Sequence, residues 1–303
     1  MRILIQGWPM VVASFLAIAL TTVCSLAVLA DEPGIKDNSF FVEEAYNQDQ
    51  GIVQNIFNWI PTWDHPPGVR TRDFNFLFTQ EWPIGDEMNQ FSYTIPLSSH
   101  FEQPDGGISS NFGGLGDILL NYRYQLFKEK EDGVAVAPRF SVILPSGDKN
   151  KGLGTGETGF QTNWAFSKEM GETAFHFNAG LTAIPNVSAP GMSPAFDLVS
   201  YNLGFSMIDI ESKTFQPLVE FLALWNSNLN DTGTGVQRDF ELIISPGFRW
   251  SIYQEEETQV VIGAAVPVGL TRSAPDIGAF FYLSIEAPCG LLKQKCKECQ
   301  ENN

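Results

Sequence analysis

The sequence predicts an all-β protein: a transmembrane, antiparallel, up-and-down β-barrel of about twelve strands, preceded by an N-terminal signal helix. Three observations carry this. Long segments alternate apolar and polar residues with a period of two, which is the period of a strand. No Asp, Glu, Lys or Arg falls mid-strand on the face read as outward. The connections between segments alternate between short and long, as periplasmic turns and external loops do.

Residues 1–30 read as an export signal. Arg2 is the only charge, Val11 to Leu20 is apolar, and Val28-Leu29-Ala30 offers a small-residue cleavage site after Ala30. The alternative is an uncleaved inner-membrane anchor, since 11–29 is long enough to span. Cys24 follows Val23 rather than a small residue, so lipidation is set aside. Residues 31–51 show no period and read as a periplasmic lead-in or a small plug folded into the lumen.

The barrel itself is expected over 52–287. Its clearest part is the hairpin from Leu115 to Ser146. Ile118, Leu120, Tyr122, Tyr124 and Leu126 share one face of the first arm, with Asn121, Arg123 and Gln125 on the other. Val134, Val136, Phe140, Val142 and Leu144 repeat the pattern on the second arm, against Arg139 and Ser141. Each arm is about 11 residues, near the length a membrane strand needs and longer than an ordinary soluble strand. Lys128 to Asp132 forms the charged turn.

Two strands precede this hairpin after a weak first strand at 52–60: 73–82 (Phe74, Phe76, Phe78 outward) and 88–98 (Phe91, Tyr93, Ile95, Leu97 outward). Seven follow it, at 158–169, 173–185, 197–209, 213–226, 239–252, 258–269 and 278–287. The segment 258–269 is apolar on both faces, so its parity is ambiguous. Short connections are expected at 83–86, 129–132, 170–172, 210–212 and 253–257. Long ones are expected at 61–72, 99–114, 146–157, 186–196, 227–238 and 270–277.

Mean hydropathy alone would suit a soluble protein, as it does for any barrel in which only alternate residues face lipid. Without residues 1–30 the chain carries 17 basic and 35 acidic residues. That balance excludes nucleic acid as a partner class. The expected partners are outer-membrane lipid and a small-molecule solute, and no cofactor or metal is implied.

Several stretches resemble a family of outer-membrane transporters named for the meta-cleavage pathway of phenol degradation. They are FFVEEAYNQ (40–48), GLGDILLNYRYQL (114–126), APRFSVILPSGD (137–148), GLGTGETGFQTN (152–163), YNLGFS (201–206) and SPGFRW (245–250). The resemblance implies an exported barrel with a transport role and brings no catalytic residue with it. One departure is the C-terminus. Barrel chains commonly end on an aromatic of the last strand, whereas a polar tail, 288–303, follows here.

The functional candidates are the inward charges: Glu81, Arg123, Arg139, Glu169, His176, Glu220, Glu241 and Arg249. Buried charges must be paired or hydrated. They are read mainly as a salt-bridge network rigidifying the lumen, and otherwise as a charged constriction selecting solutes. Counting from the turn, Arg123 falls opposite about Pro138. His65 and His100 are expected in external loops. His176, with Asn178 on its face and Ser206 on the next strand, is the one place where barrel-enzyme chemistry is conceivable. The preferred reading of His176 is a lumen residue, with no catalytic residues. Cys289, Cys296 and Cys299 have too few neighbouring ligands for a metal site and suit a local disulfide with one free thiol. GLGTG at 152–156 is a flexible loop, since no helix follows.

The resulting expectation is passage of small solutes, apolar or aromatic ones by the family resemblance, through the cell outer membrane. The alternatives are a closed structural or partner-binding barrel and, third, a barrel enzyme.

Overall fold

The computed structural model describes residue 35 and residues 39–230, 232–255 and 257–289. The signal segment, Cys24, Cys296, Cys299 and most of the tail lie outside the described residues.

Fifteen strand segments form one closed antiparallel sheet. They are β1 (Ile52–Asp64), β2 (Val69–Ile84), β3 (Asp86–Pro104), β4 (Ser110–Leu115), β5 (Ile118–Tyr124), β6 (Ala135–Leu144), β7 (Gly159–Met170) and β8 (Thr173–Val187). Then come β9 (Phe196–Asp209), β10 (Phe215–Leu229), β11 (Val236–Glu255), β12 (Thr258–Ala265), β13 (Val268–Gly269), β14 (Ile277–Gly278) and β15 (Phe280–Pro288). β4 and β5 are one stave of the barrel interrupted at Gly116–Asp117. β12 with β13, and β14 with β15, are likewise single staves. The barrel therefore has twelve staves, and β1 closes it by pairing with β15 from Ile52↔Pro288 to Trp59↔Phe281. Closure removes every sheet edge, which a bilayer requires because it offers no water to an unpaired backbone group.

The outward face is apolar and exposed, as the alternation demands. Tyr201, Leu203, Phe205 and Met207 on β9 are each 38–51% exposed, and Phe215, Phe221 and Trp225 on β10 are 39–43% exposed. Aromatic pairs run across neighbouring strands on this face, such as Trp225–Phe240 at 5.0 Å and Phe215–Phe248 at 5.3 Å between ring centroids. In water such a band would be a liability; in hydrocarbon it is the solvated surface.

The structure corrects several expectations. The strands outrun the membrane-length segments. β2 and β3 continue through Arg70, Arg72, His100 and Glu102, where both faces carry charged side chains, because ladder hydrogen bonds still satisfy the backbone above the apolar band. The long connections expected at 61–72 and 99–114 shrink to 65–68 and 105–109. His100 consequently sits in β3, with its Nδ1 2.6 Å from Asp73 Oδ1. The weak first strand is a full 13-residue strand. The eleventh predicted strand breaks at Val266–Pro267, and Pro267 has no N–H to give a ladder. The charged turn is a one-turn helix, Glu129–Asp132, ended by Gly133 in the left-handed region. Arg123 pairs with Arg139, one position from the Pro138 expected, so the two arginines are neighbours across the hairpin as the count from the turn implies.

The turns at the end where β1 begins are short except at 125–134, which is longer than the turn expected at 129–132 and holds the one-turn helix. β2 passes to β3 through Gly85 alone, whose φ of 77° only glycine adopts without strain. At the opposite end the connection 145–158 is pinned by Asp117, whose carboxylate accepts the N–H groups of Gly147 and Thr155 at 2.9 and 3.0 Å.

An arginine in place of Leu203, central on the outward face of β9, should destabilise the barrel by about 2–4 kcal/mol. Denaturant titration of the protein folded into liposomes measures it. A loss under about 0.5 kcal/mol would show that this face does not meet lipid.

Candidate functional site

Residues 39–48 run through the half of the barrel nearer the short turns and take up most of its inward charge. The chain reaches this position directly from β1. Gln50 Nε2 donates to Gly85 O at 2.8 Å, and Asn47 Nδ2 donates to Glu87 O and Met88 O at 3.0 Å each. These bonds hold the segment's base against the β2–β3 turn.

Glu220 on β10 is fully buried. Three consecutive backbone N–H groups, of Phe40, Phe41 and Val42, converge on its Oε1 at 3.0, 3.0 and 2.9 Å. A run of peptide N–H groups curved around an anion is a nest, and bonds to a charged acceptor are the strong kind. The carboxylate's desolvation is thereby offset in part by donors that would otherwise be orphaned.

Arg139 holds Glu43 in a two-pronged pair, Nε to Oε2 at 3.1 Å and one terminal nitrogen to Oε1 at 2.7 Å. Its other bonds go to Asn121, Ser141 and Gln161. In the Glu43 carboxyl, burial pushes the titration up, but the Arg139 and Arg123 guanidiniums together with hydrogen bonds from Arg139 and Asn163 hold the group below its usual range. Asn178 clamps the same residue's backbone, accepting from Glu43 N at 2.7 Å and donating to Glu43 O at 2.8 Å.

Arg249 donates to Glu44 Oε1 at 2.6 Å and to Gln216 Oε1 at 2.8 Å. Arg123 binds the segment mainly through carbonyls, donating to Tyr46 O at 2.6 Å and Asn47 Oδ1 at 2.8 Å. Its contact with Glu81 is longer, 3.8 Å. Gln90 links the three, donating to Glu81 Oε2 at 2.7 Å and accepting from Gln48 N at 2.8 Å and from Arg123 at 3.2 Å. Gln125 pairs with the backbone of Ala45 and Asn47 at 2.7 and 3.0 Å.

The other side of the segment is apolar. Phe40 stacks on Phe280 with ring centroids 4.9 Å apart, and Phe41 meets the same ring edge-on at 4.7 Å. Ile35, Ile56, Val261, Ala265 and Tyr282 complete this cluster. This explains the doubly apolar strand. Val261, Gly263 and Ala265 face inward onto Phe40 rather than water, and a Cβ at Gly263 would lie 2.5 Å from the Phe40 ring. The lumen is thus not uniformly polar, as expected from the alternation, but divided into a polar and an apolar wall.

Of the eight candidates, Arg123, Arg139, Glu220 and Arg249 touch the segment directly, and Glu81 reaches it through Gln90. His176 Nδ1 lies 2.7 Å from Ser167 Oγ, which also accepts the N–H of Ala45 at 2.7 Å. His176 Nε2 lies 3.7 Å from Glu44 Oε1. Ser206, though opposite His176 in register, bonds to Ser39 at 3.1 Å instead. Two candidates stand apart. Glu169 is exposed at the end of β7, and Glu241 accepts from Asn226 at 2.9 Å beyond the segment's reach. Glu43, Glu44, Gln90, Gln125 and Asn178 are the residues that sequence reasoning left without a role at this site. Adjacent acids at 43–44, in a chain with inward arginines lacking assigned partners, were the available signal.

No protein-family model matches the chain, and no curated protein matches it. Among solved structures, an outer-membrane channel from Pseudomonas putida F1 is similar with a TM-score of 0.58 and 12% identity, covering 86% of this chain and 99% of that one. The translocator domain of the autotransporter NalP from Neisseria meningitidis is similar with a TM-score of 0.51 and 10% identity, covering 79% and 88%. The chain has the fold of bacterial outer-membrane barrels. At these identities the likeness is one of fold.

Removing the nest's anion tests the anchoring. Glu220→Ala leaves the two buried N–H groups of Phe40 and Val42, and the partly buried one of Phe41, without their acceptor, at about 1–3 kcal/mol for each buried group. Amide exchange at Phe40–Val42 should then accelerate at least tenfold by about the same principle; unchanged protection would refute the nest. Arg139→Glu should similarly loosen Glu43 and its neighbours, and adding Glu43→Arg should recover much of the lost protection, because the pair is re-formed with its charges exchanged.

Proposed function

We propose that this protein is a solute channel of the Gram-negative outer membrane whose passage is closed, on the periplasmic side, by its own residues 39–48. The observation that carries this reading is the anchoring itself. The inward charges of an ordinary pore face water and ions; here the buried ones are bonded to a single segment of the same chain, Glu81 through Gln90. A segment held by many moderate contacts, in a lumen otherwise walled by a closed sheet, has the character of a gate. The short turns on the segment's side and the longer connections opposite support the orientation.

The solute class follows from two supports of unequal kind. The family resemblance, carried by stretches such as 114–126 and 137–148, points to small apolar or aromatic compounds. The apolar wall around Phe280 and Tyr282 would offer such compounds a surface once Phe40 and Phe41 withdraw. The P. putida channel that shares the fold supports transport over other uses of a barrel. The Ser167–His176 pair supports no hydrolytic role. Ser167 Oγ is buried and already engaged by the Ala45 N–H, so an acyl group has no open approach to it.

The same dense anchoring favours one competing reading, a permanently closed structural barrel. Planar-bilayer recording separates the two. The channel reading expects small, intermittent openings from the intact protein and steady conductance from a variant lacking residues 39–48. An intact protein silent at all voltages, with the truncated form conducting, establishes the closed barrel. Silence from both, with the truncated form still showing a heat-dependent gel shift, overturns the channel.

A further inference from the structure

Beneath the segment, on the short-turn side, lies a chamber of about 890 Å³ that none of the anchoring contacts uses up. One wall is the segment's own outer surface, Glu44 to Gln50. The others come from the one-turn helix at 129–132 and from the ends of β7, β8, β11, β12 and β15. Its size is that of an ordinary small-molecule site.

The chemistry of the lining is one-sided. Eight carboxylates border the chamber, among them Glu129, Glu169, Glu257 and Glu286, against three bases, Lys128, Lys130 and Arg249. Two of those bases are paired with carboxylates of the same lining, and Glu129 accepts from Tyr46 Oη at 2.6 Å, so what remains is a net negative charge rather than a set of unpaired acids. Arg249 bonds to Glu44 at 2.6 Å, and Lys128 lies 3.4 Å from Glu87. A surplus of carboxylates alone would be no more than a solvated surface. Two buried side chains on the wall set this one apart. Gln259 Oε1 has no hydrogen-bond partner among the described residues, although the residue is only 6% exposed. Nε2 of His176, only 2% exposed, is in the same condition at the inner end. A buried polar atom left unsatisfied is costly. An amide oxygen can be satisfied only by a donor, which an ammonium group brings.

We infer that this chamber binds a linear aliphatic polyamine from the periplasmic side. The carboxylates are spread over elements on different sides of the barrel, and no cluster of three metal-ligating side chains occurs among the described residues. One compact ion therefore cannot lie close to all of this negative charge at once. A chain of ammonium groups separated by methylenes can, each nitrogen bringing at least two N–H donors. The methylenes would lie along Ile35, Ile52 and Ile210, which form apolar stretches of the same wall. Because Glu44 to Gln50 is one side of the chamber, an occupant touches the closing segment directly, and binding stabilises whichever seating of that segment completes the site.

The inference rests on the plugged-lumen reading for its wall, but not on conductance. The test is titration calorimetry with spermidine on the full-length protein in zwitterionic detergent. One saturable site is expected, weakening with added salt. Citrate should give no heat, and magnesium at equal ionic strength should not displace spermidine. The combined variant Glu169→Gln, Glu286→Gln, Gln259→Leu should weaken binding by about tenfold per carboxylate lost. Should that variant lose its heat-dependent gel shift, Glu169→Gln alone, at an exposed strand end, should still weaken binding about tenfold. No saturable binding, equal displacement by magnesium, or undiminished affinity in folded variants overturns the inference. A protein that binds spermidine yet never conducts removes the channel reading and leaves this one standing. A conducting protein that ignores spermidine does the reverse.

Discussion

An ionised group inside a narrow barrel has little bulk water to turn to, and the rest of this architecture is arranged around that constraint. Glu220 and Arg249 are almost wholly shielded, and Arg123 nearly so. Each costs several kcal/mol to desolvate unless charge-assisted bonds replace its hydration. The partners are supplied by residues 39–48, which bring two carboxylates, three consecutive N–H groups and a run of carbonyls. The barrel charges and the segment therefore stabilise one another, and neither has an obvious reason to persist alone. Removing one member strands the other, which is why such contacts specify a single seating rather than a loose filling.

The segment also reads as a two-sided object. Phe40 and Phe41 turn toward β12 and β15, while Glu43, Glu44, Asn47 and Gln48 turn toward the remaining staves. A uniformly polar lumen would leave the two rings in contact with water, and a uniformly apolar one would strand the charges. The division of the inner wall thus fixes the segment's rotation as well as its depth. It also leaves the segment's underside, not its anchored sides, as the surface open to a ligand.

Outside, the physics is simpler. Hydrocarbon rewards any apolar side chain about equally, so the outward face needs pattern rather than precise fit. That tolerance is why Tyr201, Leu203, Phe205 and Met207 were legible from alternation alone. It also explains how a barrel of this fold is reached at 12% identity to a solved channel. Strand ends were less legible. Period-two alternation is set by the lipid, and β2 and β3 continue beyond it, where only ladder hydrogen bonds, invisible in a one-dimensional pattern, keep the chain extended.

By itself, the sequence determined the barrel, the number of its staves, which parity faces lipid and which charges point inward, because each of these follows from a local two-residue period. It also placed 31–51 between a lead-in and a plug without choosing. The tertiary structure decided everything that depends on contacts between distant residues. The partner of Glu220 lies 178–180 positions away, and that of Arg249 lies 205 away. The doubly apolar strand at 258–269 was ambiguous for the same reason. Its inward side chains answer to Phe40, more than two hundred residues earlier, and a hydrogen bond or ring contact at that separation leaves no periodic trace in the chain.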